Sequence, residues 1–459
     1  SFSSQFQDSQ VFDESQAHIL MEAASIDTGK CQEFEEITLH EIEYAKSVLK
    51  DTSPGNDNVH NRFLRSLGPR GTEELRLICN TSMATGAIPE SWKQGIILPI
   101  PKPEEDRSDP KNYRPITLQS CIAKLMERVV QRRLQWSLER KETFPDSQHG
   151  FRPSRGTHSA LMQLYNITQG AINNKEIALV VYLDLKGAFD RVWHEGLLYK
   201  LRMLKVEEAV ISWLKAYLCS KRLQVRVGGS ISASTRLLTG LSQGSVMSPI
   251  LFNVMLYDIP KHERIKLIIY ADDITLVCKS STFEDAKIMM QEYLDTLGEY
   301  FERWKFTIGQ AKSKYQIFTR KKNIPDIDLV LCNHRIATEQ YKKVLGITLD
   351  APKMSMKEQV RKVVLECQKR SHILKAITGT KWGTGRKILR RVYIGFIRSR
   401  LEYSAFMYSH VSKELLNKME KIQNNALRVI LGARKTTPIS TLHVEAYVMP
   451  LNERFELQT

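Results

Sequence analysis

Two stretches of this chain restrict its fold more than any others. Ile177 to Leu183 (Ile-Ala-Leu-Val-Val-Tyr-Leu) is an unbroken apolar run that ends abruptly on Asp184. Such a run fits a strand buried on both faces at the centre of a covered sheet. In the second stretch, Ile265 to Tyr270, then Ala271-Asp272-Asp273, then Ile274 to Val277, two acids sit between two largely apolar segments. It reads as a hairpin with the carboxylates at or near its tip.

Carboxylates at the ends of buried strands cost free energy unless they are paired, hydrogen-bonded or metal-bound. A lone Asp-Asp pair reads as a polar turn, but Asp184 and Asp272 together favour three acids converging on divalent cations. Their hard oxygens suit Mg²⁺, which keeps several waters and takes further ligands from substrate phosphates. Two such ions, about 4 Å apart, activate an attacking 3′-hydroxyl and stabilise a leaving oxygen. That is the chemistry of phosphoryl transfer, in which a protein supplies mainly position and charge.

Charge points the same way. The 459 residues carry a formal net charge of +16. Residues 380–435 hold thirteen Lys or Arg against three Glu, whereas residues 1–50 hold three Lys against ten Asp or Glu. A basic block in a chain of this pI is the electrostatic footprint of a polyanion partner, with a solvated basic face as the competing reading. No apolar run reaches the length of a membrane span, and the N-terminus lacks the basic-then-apolar pattern of a secretory signal. The seven cysteines are scattered without a C-x-x-C spacing, which argues against zinc and against a disulfide framework and favours a reducing interior. The length suggests two to four subdomains.

Residues 1–36 are polar and acidic with no sustained period and read as a linker or remnant. A helix is expected to start at Thr38, with Glu41 completing a capping box and Ile37 and Ile42 a hydrophobic staple. Residues 96–101 read as a short strand interrupted by prolines, followed by the charged loop Lys102 to Lys111. Ile122, Leu125, Met126, Val129 and Leu134 recur at helical spacing. Beyond about residue 350 the pattern is helical again, through Val360, Val364, Cys367 and Leu374, then Leu415, Met419, Ile422, Ala426 and Val429. Helical flanks around a central sheet result.

Several motifs in one order then resemble a known family. Tyr270-Ala271-Asp272-Asp273 resembles the signature hairpin of reverse transcriptases. Asn112-Tyr113-Arg114-Pro115-Ile116-Thr117-Leu118 and Gln148-His149-Gly150-Phe151-Arg152 resemble its fingers motifs. The segment from Tyr182 to His194, containing Asp184, Phe189 and Asp190, resembles its first palm motif, and Gly240 to Pro249 its second. Val344 to Asp350 resembles the motif leading into the thumb. The match covers roughly residues 37–450 and is similar to the polymerases of non-LTR retrotransposons of the jockey and I lineages.

The resemblance implies an α+β right-hand polymerase: a ferredoxin-like antiparallel palm sheet with helical fingers and thumb. It divides the chain into a remnant (1–36), fingers (37–175), palm (176–330), palm–thumb junction and basic thumb (331–435) and a C-terminal linker (436–459). It implies an RNA-directed DNA polymerase using two Mg²⁺ ions, with Mn²⁺ as a substitute, and binding an RNA template, a DNA primer and dNTPs. Asp184 and Asp272 would ligate both metals, with Asp273 alongside. Phe189 would lie beneath the incoming sugar and clash with a ribose 2′-hydroxyl. Gln243 and Gly244 would border the nucleotide and template base. Arg114 and Lys102 would clamp the triphosphate, Arg152 would touch the template backbone, and Lys312 would donate a proton to pyrophosphate. Solvated or salt-bridged side chains are the competing readings of Lys102, Arg152 and Lys312.

Departures from the family pattern are Ser242 where Pro is common, Gly309 where Asn is usual, and a loose turn at Ser53-Pro54-Gly55-Asn56-Asp57. The family's upstream endonuclease is expected to be missing from this chain, and with it any nicking activity, as is any downstream ribonuclease H. Action inside the cell, at the nucleus after cytoplasmic assembly with RNA, follows from the same resemblance. The competing function is a catalytically dead or domesticated copy that binds nucleic acid through the basic C-terminal block.

Overall fold

The computed structural model describes residues 35–103, 106–379 and 383–457, with Gln16, Ile19, Met21 and Glu22. The reading of 1–36 as a linker therefore lies largely outside the described residues. The first long helices are α1 (Leu39–Ser47) and α2 (Pro69–Thr85). Thr38 caps α1 as its sequence implies: its Oγ1 accepts from Glu41 N at 3.3 Å, and Glu41 Oε2 accepts from Thr38 N at 3.0 Å. Ile37 and Ile42 are both buried. Strand β1 (Gln94–Pro101) pairs antiparallel with β2 (Tyr113–Gln119) along its whole length. Its parallel pairing with Arg222–Val227 covers only Gln94 to Ile97 and stops short of Pro99, which has no N–H to give a second neighbour. Helix α3 (Cys121–Arg140) follows, then α4 (Thr157–Asn173).

The centre of the molecule is a five-stranded sheet. Strand β3 (Ile177–Asp184) is its middle member. It is flanked on one side by the hairpin of β4 (Ile265–Tyr270) and β5 (Asp273–Ser280), and on the other by Lys314–Phe318 and Ala337–Thr338. Both neighbours of β3 run antiparallel to it. Alternation along β3 sorts its side chains into two separate cores. Ile177, Leu179, Val181 and Leu183 join the core shared with α3 and with helix α5 (Phe283–Arg303). Ala178, Val180 and Tyr182 join the core shared with α4 and the C-terminal helices. A strand with a core on each face has no position for a polar side chain until it ends, which is why the run is unbroken up to Asp184.

The C-terminal part opens with a hairpin, Tyr341–Val344 and Ile347–Asp350, and continues in α6 (Lys357–Ala376) and α7 (Lys413–Leu431). Residues 436–459, expected as a linker, instead carry two short helices, Ile439–Ala446 and Leu451–Glu456. Leu442, Ala446, Leu451 and Phe455 are buried in the same core as α7. Pro438 and Pro450, which give the segment its linker character in sequence, are the N-caps of these helices. Among the described residues no helix is long and apolar enough to cross a membrane.

A buried polar network ties helix α3 to the loop that follows Gly240. Glu127 of α3 is fully buried and accepts from Ser245 Oγ and Val246 N, each at 2.7 Å, and from the Tyr217 hydroxyl. Lys221 Nζ donates to that same hydroxyl, and burial pushes its pKa down to about 8 against the opposing pull of Glu127. With its amide turned to match its neighbours, Gln119 donates to Glu127 Oε1 at 3.2 Å and accepts from Lys221. Glu127→Ala removes the acceptor of four donors and the counter-charge of a buried ammonium. It is expected to lower unfolding free energy by about 3 kcal/mol, measured by urea denaturation, with Glu127→Gln costing less.

Candidate active site

The register of the central strands sets the site. Asp184 stands directly opposite Asp273 across β3 and β5, with Leu183 opposite Ile274. Directly opposed residues on antiparallel strands present their side chains on the same face. The β4–β5 hairpin closes between Tyr270 and Asp273, so Ala271 and Asp272 form the turn itself. Ala271 has φ +57°, a left-handed conformation that an L residue holds only where the surroundings impose it. Residues 147–150 supply that constraint along the outer edge of β4. Ile269 N donates to Ser147 O and His149 N to Ile269 O, both at 2.8 Å. A Cβ on Gly150 would lie 2.5 Å from Ala271 N, so only glycine allows this approach.

Asp184 is held from the other side. Gly309 N donates to Asp184 O at 2.6 Å, and Asp184 N donates to Ser313 Oγ at 3.2 Å. A Cβ at position 309 would fall 2.3 Å from Asp184 Oδ2. Gly309 thus leaves the space that the carboxylate occupies, which gives the departure from Asn at this position a physical content.

The acids repel one another. Burial and then the charge of Asp184 raise the pKa of Asp272, while a backbone hydrogen bond and Lys312 oppose the rise. Crowding by surrounding protein, followed by the charges of Asp272 and Asp184, pushes Asp273 up to about 6. Asp273 is nonetheless exposed at the head of its strand, where solvent moderates both effects, and a divalent cation would cancel the like-charge part of the rise. Lys312 is exposed and near enough to both acids of the turn to lower their pKa values. Lys342, which sequence reasoning missed, donates to Lys312 O at 2.8 Å and also favours charged Asp273. Among the described residues no three His, Cys, Asp or Glu side chains form a ready ligand set. The geometry supplies a pair fixed by register and a third carboxylate in the adjoining turn, all hard oxygen donors of the kind Mg²⁺ takes.

The loop after β3 packs against the segment 240–244. Gly240 N donates to Val192 O at 2.8 Å and Leu241 N to Phe189 O at 2.7 Å. The Phe189 ring stacks on Phe252 at 4.6 Å between centroids, and Phe252 meets Phe306 edge-on. Gln243 Nε2 donates to Asp190 Oδ1 at 3.2 Å, and its carbonyl accepts from Thr117 N at 2.7 Å. Gly244 has φ +109° and lies so close to β2 that a Cβ would be 3.0 Å from Thr117 O. Gln243 and Gly244 are therefore set against the strand that carries Arg114, itself exposed, and Phe189 is tied to the same segment through Leu241.

The Reverse transcriptase (RNA-dependent DNA polymerase) family matches residues 100–349, a span that includes every element just described. The chain belongs to the reverse transcriptase family. It is 31% identical over 430 residues to the probable RNA-directed DNA polymerase from transposon BS of Drosophila melanogaster, covering 91% of this chain and 47% of that protein. It is 32% identical over 411 residues to the RNA-directed DNA polymerase from mobile element jockey of the same species, covering 86% of this chain and 44% of that one. A probable polymerase from its X-element is 27% identical, over 87% of this chain and 45% of the relative. The chain thus spans about half the length of the curated relatives it matches.

Arg152 and Lys102 are held by partners of their own. Arg152, expected on a template backbone, is buried in a bidentate pair with Glu139, Nε to Oε1 at 3.0 Å and Nη2 to Oε2 at 2.7 Å. It also donates to Pro145 O at 2.9 Å, so its guanidinium braces the 145–152 segment against α3 and has no face left for a phosphate. Lys102 is half-buried on the loop after β1, where its backbone N donates to Asn112 O at 2.8 Å. Asp190, which the sequence places in the first palm motif without a role at the site, is a further group. Burial pushes its pKa up to about 6, opposed by Gln243 and Arg191.

A raised carboxyl binds its proton more tightly in the folded chain than in the unfolded one. Stability from Asp190 is therefore fully present below the unfolded value near 3.8 and is lost as pH rises through about 6. In chelator-containing buffer Asp190→Asn is expected to match the parent below about pH 4 and to exceed it by about 3 kcal/mol above about pH 7, read by denaturant titration.

Proposed function

We propose that this chain is the polymerase core of a non-LTR retrotransposon reverse transcriptase. In this reading it extends a DNA 3′-hydroxyl on an RNA template with dNTPs. The observation that carries the proposal is the backbone register that sets Asp184 opposite Asp273 beside the Asp272 turn.

Asp184 and Asp272 are proposed to hold two Mg²⁺ ions, with Asp273 alongside; Mn²⁺ is the natural substitute. When bound, such ions lower the pKa of the primer hydroxyl and neutralise charge on the leaving pyrophosphate. The protein's own part is positioning. Phe189, stiffened by its stack on Phe252, presents a ring edge that excludes a ribose 2′-hydroxyl. Gln243 and Gly244 hold the base pair being formed. Arg114, exposed on β2, is free to meet the triphosphate, with Lys102 on the neighbouring strand end as a second cation. Lys312 sits where it can return a proton to pyrophosphate.

Residues 37–175, 176–330 and 331–435 act as fingers, palm and basic thumb in this reading. RNA, primer DNA and dNTPs are its partners, and the nucleus its place of action. A binding-only copy would have no use for three mutually repelling carboxylates, whose retention favours catalysis.

Purified protein is expected to extend a DNA primer on RNA in the presence of Mg²⁺, with chelation abolishing the reaction. Asp184→Asn should lower the rate by about a thousandfold or more while leaving salt-sensitive binding of primer–template in place. Equal binding and no extension by the parent under any divalent ion would establish the binding-only reading instead. Phe189→Val is expected to raise incorporation of ribonucleotides relative to deoxyribonucleotides by about tenfold, read by single-nucleotide extension.

A further inference from the structure

Helix α3 carries an exposed surface that none of these roles uses. Arg132, Trp136 and Arg140 are exposed at successive i, i+4 positions, so they form one ridge with a rise of about 6 Å per step. Trp136 leaves 64% of its surface in water, unusual for the largest apolar side chain. The Arg140 guanidinium lies 5.1 Å from its ring, and the Arg132 guanidinium is stacked 3.8 Å over the half-exposed ring of Tyr44. Among the described residues neither arginine is paired with an acid. Two carboxylates of the same region are already engaged, Glu139 by Arg152 and Glu41 by Arg133. Two unneutralised guanidiniums with an upturned indole between them form a surface that suits alternating phosphates and stackable bases better than an acidic protein, which would gain nothing from the indole face.

The ridge also connects to the carboxylates. Gln135, beside Trp136 on α3, donates from Nε2 to Phe151 O at 3.2 Å. Phe151 is itself exposed and held at φ +57°, and its ring stands 6.4 Å from that of Tyr270, the residue preceding the Ala271-Asp272 turn. Through Gln135 and the exposed Phe151 ring the ridge is therefore linked to the edge of the site.

We infer that the ridge Arg132–Trp136–Arg140 is a track for single-stranded RNA, taking the unpaired template ahead of the active site and delivering it past Phe151. This rests on the polymerase reading for the identity of the strand, but not for its chemistry, since binding is measurable without turnover. The step between ridge residues is comparable to the spacing of phosphates along a stretched single strand, so consecutive nucleotides meet Arg, Trp and Arg in turn.

The test is fluorescence anisotropy with labelled RNA–DNA primer–templates that differ only in the length of the unpaired template, a few nucleotides against several times that. The parent is expected to bind the long overhang more tightly. Trp136→Ala should weaken long-overhang binding by about tenfold with far less effect on the short one. Arg132→Gln with Arg140→Gln should flatten the salt dependence of long-overhang binding by about 1.4 in log–log slope. Phe63→Ala, equally exposed at 64% but remote in sequence from the ridge, controls for loss of any surface aromatic and should leave the ratio unchanged. Circular dichroism confirms that each variant folds. Parent protein indifferent to overhang length, or ridge variants that bind both lengths as the parent does, would overturn the track. So would ridge variants that lose both lengths equally. Absence of primer extension by a parent that still discriminates overhangs would refute the polymerase reading and leave the track standing.

Discussion

The pairing of the central strand with the hairpin beside it decides where everything else in this molecule falls. Side chains along a strand alternate with a period of two, so sliding β3 by one residue against β5 would exchange its two core faces. Ile177, Leu179, Val181 and Leu183 would then face the C-terminal core, and Ala178, Val180 and Tyr182 the core shared with α3 and α5. Two differently shaped cores, one on each side, reject that slip. The same packing fixes Asp184 opposite Asp273. Burial of seven apolar residues thus pays for a juxtaposition of carboxylates that would not form by itself, since like charges at such range repel.

Around that pair the chain spends its unusual backbone. Ala271 holds a left-handed φ, Gly150 abuts it with no room for a Cβ, and Gly309 leaves space for the Asp184 carboxylate. Gly240 and Gly244 do the same for the loop that carries Gln243, placing it between Asp190 and β2. The opposite end of β3 pairs in regular antiparallel ladders. Close backbone approach at the carboxylate end suits a site that demands position more than covalent chemistry.

Much of this was legible in the sequence, for a physical reason. The β3 run, the Asp272-Asp273 hairpin, the capping box at Thr38 and the helical periods after residue 350 are all local patterns, and local patterns are what a chain displays in one dimension. What escaped was partner identity over long range. Arg152 carries two competing readings, a template backbone and a salt bridge, and its motif cannot name the partner, Glu139 at the end of α3. Glu127 and Lys221, which no local pattern singles out, are buried together through Tyr217. Lys200 likewise vanishes into the interior, where Asp258 at 2.5 Å and the ring of Trp304 at 3.7 Å receive it. Residues 436–459 mislead for another reason: Pro438 and Pro450 are as common at helix starts as in linkers, and only the packing of Leu442 and Leu451 distinguishes the two.

The central claim is that the strand register creates a shared cation site from Asp184 and the acids of the Asp272 turn. The most direct measurement is anomalous diffraction from crystals of the protein grown or soaked with Mn²⁺. The account predicts anomalous density within coordination distance, about 2.2 Å, of carboxylate oxygens from both Asp184 and Asp272, and its disappearance in Asp184→Asn crystals. Density bound to the hairpin acids alone and unchanged by that substitution, or no density between the two strands at saturating Mn²⁺, would contradict it.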